Sequence, residues 1–93
     1  MSMERALFLA KQAYTADEVP IASVIVYKNT IIAEAHNLVE TNRDPTAHAE
    51  ILAIQKACAT LKQPRLTECD LYVTLEPCPM CAQAISVSYT HLR

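Results

Sequence analysis

The stretch Leu71-Tyr72-Val73-Thr74-Leu75-Glu76-Pro77-Cys78-Pro79-Met80-Cys81 reads as a strand, a break and the start of a helix. Leu71 to Leu75 is short, apolar and rich in strand-favouring residues. Pro77 cannot continue a ladder of hydrogen bonds, and Pro79 suits the first turn of a helix, where its missing N–H is not needed. The helix that follows runs to about Ser86. A strand running straight into a helix is the unit from which α/β folds and their parallel crossovers are made.

Upstream, residues 21–27 (Ile-Ala-Ser-Val-Ile-Val-Tyr) form a β-branched run that reads as a strand, and residues 30–36 read as its return. Lys28-Asn29 between them predicts a tight turn, because Asn tolerates positive φ. Residues 3–14 carry Met3, Ala6, Leu7, Ala10, Ala13 and Tyr14 at helical spacing, with Ser2 as N-cap and Asp17 to Pro20 as the stop. Residues 37–45 are polar and read as a loop. A further helix is predicted over 47–61, with Ile51, Ile54, Ala57, Cys58 and Leu61 facing the core, Asp44 or Thr46 as cap, and Pro64 beyond its end. The predicted order is helix-strand-strand-helix-strand-helix, an α/β pattern without repeat or linker.

Two chemically active pairs fall at helix starts. His48-Ala49-Glu50 opens one helix, and Cys78 with Cys81 opens the next. One imidazole and two thiolates suit zinc, and three protein ligands leave the fourth position to water, as in catalytic sites. Such a water ionises near neutral pH. Residues i and i+2 diverge in mid-helix, but in a first turn both reach past the helix end. The positive end of each helix favours thiolates at a shared site. Taken alone, Cys78 and Cys81 also fit a redox pair or half of a structural zinc site, and Glu50 fits an ordinary acidic residue in a first turn. The combination favours catalysis, with His48, Cys78 and Cys81 holding one Zn2+ per chain and Glu50 moving protons. Cys58 and Cys69 read as buried or half-buried thiols; His36 and His91 have no partner at ligand spacing.

Composition narrows the classes. The 93 residues allow one domain, and 52% apolar residues can build a core. No apolar run approaches the roughly 18 residues of a membrane helix, and the start lacks a basic segment followed by an apolar one, so the expectation is a cytoplasmic protein and no membrane partner. The net charge of −2 supplies no basic footprint for nucleic acid, although a local basic rim is compatible with it. Glycine is absent, so no glycine-rich phosphate loop exists and turns must use Asn, Asp and Pro.

At Glu18-Val19-Pro20, His36-Asn37, Asp44-Pro45-Thr46-Ala47-His48-Ala49-Glu50 and Leu71 to Ala82 the chain resembles the cytidine-deaminase-like superfamily, and within it the bacterial tRNA-specific adenosine deaminases. The resemblance implies a three-layer α-β-α sandwich and hydrolytic deamination of adenosine to inosine in a tRNA anticodon loop, usually at the wobble position. It implies attack of an activated water on C6 of adenine, with Glu50 as proton shuttle. It also implies Asn37 as a hydrogen-bond partner of the flipped nucleotide and Val19 as a wall of its pocket. The plainer readings are an Asn that caps a strand end and a Val that packs in the core. An unstacked loop base is a sensible target, since a duplex hides its reactive edge. A homodimer is implied for a full-length parent. The alternatives are a free-base enzyme of the same fold, such as a guanine deaminase, and an inactive zinc-binding fragment.

The resemblance covers about residues 3–86. Ala22 stands where the family usually has glycine, which predicts crowding if that residue needs positive φ. Residues 87–93 do not resemble the family's continuation, so the reading divides the chain into an incomplete deaminase domain, 1–86, and a non-matching tail. On that reading the strand at 71–75 is left as an exposed edge, and activity of the 93-residue chain is weak or absent.

Overall fold

The computed structural model describes residues 2–93. In chain order the elements are α1 (Ser2–Thr15), β1 (Ala22–Tyr27), β2 (Thr30–His36), α2 (Val39–Asn42), α3 (Ala49–Leu61), β3 (Cys69–Val73), α4 (Pro79–Val87) and β4 (His91–Leu92). The sheet order is β2-β1-β3-β4, with β1 antiparallel to both neighbours and β4 parallel to β3.

β1 is the centre of the sheet, and its sequence shows why. Successive side chains leave opposite faces of a strand. Ala22 and Val24 pack with Ala6, Leu9 and Ala10 of α1. Ile25 packs on the other face with Ala53, Ile54 and Ala57 of α3, Leu71 of β3 and Ile85 of α4. A strand covered on both faces reads as a nearly continuous apolar run, which is how Ala22 to Val26 reads apart from Ser23, whose buried hydroxyl is met by Ala49 O. This is the three-layer α-β-α sandwich, with α1 on one face and α3 and α4 on the other. Ile25 and Leu71 are fully buried, and truncating either to Ala should cost about 2–5 kcal/mol.

The Lys28-Asn29 turn has positive φ at both residues, 49° and 64°, and closes a two-residue hairpin between Tyr27 and Thr30. Several expectations are corrected. On α1 the buried stripe is Ala6, Leu9, Ala10 and Ala13, whereas Met3, Leu7 and Tyr14 are exposed; the small alanines let the helix approach β1 closely. Ser2 is already helical instead of preceding the helix. The loop at 37–45 contains the short helix α2. α3 starts at Ala49, with His48 in the cap position, while Asp44 bonds Thr46 in the turn before it. β3 lies two residues earlier than expected.

Without glycine, the turns place six of the described residues at positive φ: Asp17, Lys28, Asn29, Arg43, Lys62 and Tyr89. The expected turn residues are Asn, Asp and Pro; beside Asp17 and Asn29, the bulkier Lys28, Arg43, Lys62 and Tyr89 also take positive φ, at about 1 kcal/mol or more each. Ala22 is not among them, so the methyl in place of hydrogen costs no backbone strain and packs on α1.

The expectation of an uncovered third strand is not met. Residues 91–92 pair with Asp70 and Leu71, and Arg93 N–H donates to Leu71 O at 2.8 Å. The approach is anchored by Leu66 N–H to Ser88 O at 2.6 Å and by a bond between the Ser88 and Thr90 hydroxyls at 2.8 Å. No helix among the described residues is long and apolar enough to cross a membrane.

Candidate metal and proton-transfer site

Two helix starts face one another across the end of β1 and β3. His48 and Cys78 are the N-cap residues of α3 and α4, both in extended conformation (φ −76°, ψ 150° and φ −70°, ψ 169°). Their carbonyls accept the first helical bonds, from Leu52 at 3.0 Å and Ala82 at 2.8 Å. Neither side chain caps its own helix. A Ser or Asp at such a position would stabilise by about 1 kcal/mol. Both helices give up that contribution and turn the side chains toward each other instead.

His48 Nδ1 lies 3.6 Å from Cys78 Sγ and 3.4 Å from Cys81 Sγ. The three ligand atoms all fall within 4.8 Å of one another. A tetrahedral zinc with bonds of about 2.0 Å to nitrogen and 2.3 Å to sulfur spaces those donors about 3.5 Å apart. The donor set and spacing therefore fit zinc. His48 and Cys78 are half-buried and Cys81 is buried. Burial, followed by the nearby Glu50 charge and Cys78, pushes the Cys81 thiol up to about 12. At Cys81 burial thus outweighs the helix ends, which were expected to favour a thiolate. A bound dication reverses that balance.

Glu50, one residue into α3 beyond Ala49, is 4% exposed. A buried carboxylate is costly without a cation or donors nearby, so its place beside a three-donor cluster is meaningful. Backbone braces hold this corner. Ser23 of β1, fully buried, donates through Oγ to Ala49 O at 2.8 Å. Thr74 N–H donates to Ala22 O at 3.1 Å, and Thr74 Oγ1 accepts from Ala22 N–H at 3.2 Å. The start of α3 and the segment leading to Cys78 are in this way both tied to the central strand.

Asn37 follows β2 and is buried. Its N–H donates to Ile21 O at 2.9 Å, and its Oδ1 accepts from Val39 N–H at 3.0 Å. Val19 lies between α1 and β1 and is 54% exposed, so core packing does not account for it. His36 Nδ1 is 2.9 Å from Asn37 O, and His91 is exposed on β4. Cys58 is half-buried and Cys69 buried, both as free thiols raised above their ordinary value by burial. Two open hollows, of about 740 Å³ beside β2 and α3 and about 570 Å³ beside α1, contain none of the site residues.

Sequence reading missed Ser23, Thr74 and above all Glu18, a buried carboxylate that accepts from Glu40 N–H (3.1 Å), Thr41 N–H (2.6 Å) and Thr41 Oγ1 (2.6 Å). The Thr41 hydroxyl foremost, then the two amides, holds Glu18 below the usual carboxylate range. Nothing in a local pattern signals a contact made 22 or 23 residues away.

The model of the cytidine and deoxycytidylate deaminase zinc-binding region matches residues 1–91. The tRNA-specific adenosine deaminase of Aquifex aeolicus is 53% identical over 83 residues, which cover 89% of this chain and 55% of that protein. A structure solved in a study of A-to-I editing by tRNA:A34 deaminases at the wobble position is 50% identical, with a TM-score of 0.95, covering 98% of this chain and 71% of that one. The guanine deaminase of Bacillus subtilis is 43% identical in sequence, with a TM-score of 0.93, covering 99% of this chain and 61% of that one. The chain spans about half the length of the curated relatives it matches.

Proposed function

We infer that this chain, which belongs to the cytidine and deoxycytidylate deaminase family with its zinc-binding region, deaminates adenosine to inosine in tRNA by hydrolysis, at the anticodon wobble position. The observation that carries the reading is Glu50. A structural zinc site has no use for a buried carboxylate beside three ligands, whereas a hydrolytic one does. The named relatives and the 50% identical structure favour adenosine in tRNA as the substrate.

His48, Cys78 and Cys81 would hold the zinc, one per chain. When bound, zinc supplies a water that ionises near neutral pH. Glu50 takes one proton from the attacking water and hands it to the ring nitrogen; it then takes the second from the hydroxyl added at C6 and hands it to the departing amine as the C6–N bond breaks and the carbonyl forms. Adenosine and water thereby leave as inosine and ammonia. Asn37 offers its side-chain amide to the base, because its Oδ1 is already engaged by Val39 N–H. Val19 supplies apolar surface at the pocket mouth. The partner is the tRNA anticodon loop, and the assembly that the resemblance implies is a homodimer, which sedimentation would read. Free thiols at the ligand positions suit a reducing compartment such as the cytoplasm.

The test is incubation of the zinc-loaded chain with an anticodon stem-loop carrying adenosine at the wobble position, in parallel with free guanine. Inosine in the RNA supports the reading. Conversion of guanine alone would replace it with the free-base reading, for which the 43% identical guanine deaminase is the argument.

A further inference from the structure

We propose that Glu18 is a positioning residue that staples α2 in place and through it sets the orientation of Asn37; the functional half of this rests on the reading of Asn37 as a substrate contact. α2 has four residues and buries none of them. A helix that short does not hold itself together, and no apolar face pins it to the core. Its position is set by hydrogen bonds at its first turn.

Those bonds have an unusual source. The cap residue, Leu38, has no side chain able to accept, and makes no cap bond. Val39 N–H goes to Asn37 Oδ1 at 3.0 Å, and Glu40 N–H and Thr41 N–H go to the two oxygens of Glu18. The Thr41 hydroxyl adds a third bond to the same carboxylate. Every free donor of the first turn is thus met, one by Asn37 and two by a residue that precedes β1 and β2 in the chain.

The consequence for Asn37 follows from donor and acceptor chemistry. Val39 N–H only donates, so the side-chain oxygen of Asn37 must face it, and the NH2 group is turned the other way. The orientation holds only while Val39 stays where it is, and Val39 is the first residue of the turn that Glu18 clamps. Glu18 itself is fixed by its own N–H, which donates to Ala13 O at 2.9 Å. Val19, the next residue, follows the same anchored backbone through a tight turn in which Ile21 N–H donates to Val19 O at 2.8 Å. One carboxylate therefore ties the segment bearing Val19 to the segment bearing Asn37.

The test uses the zinc-loaded 93-residue chain with Glu18→Gln, Thr41→Val and Thr41→Ser, read by amide hydrogen exchange and by steady-state kinetics on the anticodon stem-loop. In Glu18→Gln the amides of Glu40 and Thr41 should exchange at least tenfold faster. The Asn37 side-chain NH2 resonances should move or broaden, and the β1 and α3 amides and the zinc content should stay unchanged. KM should rise about fivefold or more, with kcat within twofold. Thr41→Val, which keeps the carboxylate and removes one bond, should show a smaller change of the same kind, and Thr41→Ser should restore wild-type values. Unchanged exchange and unchanged Asn37 resonances overturn the proposal. So does uniform loss of protection through the sheet in Glu18→Gln together with a silent Thr41→Val, which would make Glu18 a general stability residue. If the wild-type chain deaminates nothing, the catalytic reading falls, and the Asn37 resonances alone decide whether Glu18 positions it.

Discussion

α2 and the pair α3 and α4 solve the same problem at their N-termini in opposite ways. A helix start leaves backbone donors unmet. At α2 they are met from within the protein, by Asn37 and Glu18. At α3 and α4 the cap positions hold His48 and Cys78, whose side chains ignore their own helices and converge with Cys81. The weaker helix by length is the one with the complete cap, and the two long helices carry the incomplete ones. Packing explains the difference. α3 and α4 are held by Ala53, Ile54, Ala57 and Ile85 in the core, so each tolerates the loss of about 1 kcal/mol at its cap, whereas α2 buries none of its residues and depends on hydrogen bonds.

The largest effect that would break this comparison is catalytic. Glu50→Gln should lower the deamination rate by a factor on the order of 10²–10⁴ while one zinc per chain remains, as measured by metal analysis beside an inosine assay. Loss of zinc and activity together would place Glu50 among the structural residues instead. Next comes the ligand set. His48→Ala or Cys81→Ala should abolish stoichiometric zinc, yet circular dichroism should still report the helices, since the two apolar clusters that pack α1, α3 and α4 on the sheet include neither residue. Complete unfolding of these variants, or of the chain treated with chelator, would show that α3 and α4 depend on the metal more than on their packing.

A pH series sharpens the contrast at α2. Glu18 is held below the ordinary carboxylate value by the Thr41 hydroxyl first and then by the two amides, with a smaller electrostatic contribution from the nearby His36. A depressed carboxylate stabilises fully at neutral pH and loses that contribution as pH falls below about 4.3 toward its folded value. The difference in Tm between wild type and Glu18→Gln should therefore be present at pH 7 and shrink toward pH 3. The smallest effect concerns the other end of α3, where Lys62 adopts φ 55° as the terminating residue. Lys62→Gly should raise stability by about 0.5–1 kcal/mol, read as a higher denaturation midpoint.

Much of this arrangement is readable locally. The Lys28-Asn29 turn, the break at Pro77 and the opening of α4 at Pro79 depend on residues adjacent in sequence, and they appear as expected. The start of α3 was displaced because Asp44 and Thr46 bond each other instead of capping the helix. α2 carries no local helix signal, because its residues are largely polar and two of its N-terminal donors are met by Glu18, far away in the chain. The uncovered edge expected at β3 is filled by residues 91–92, whose pairing depends on register with Asp70 and Leu71 and not on any pattern in the tail itself.

The amino-acid sequence by itself determined the order of the six principal elements, without α2 and β4, the largely apolar central strand, the three ligand-type residues and Glu50, since helix starts and metal ligands obey short spacings. Only the tertiary structure decided that β1 is covered on both faces, that the cap positions of α3 and α4 point at one another, that Ser23 braces Ala49, and that Glu18 closes the first turn of α2. These contacts join residues far apart in the chain. Their energies depend on which backbone donors the fold leaves unmet, and that is settled only when the elements have packed.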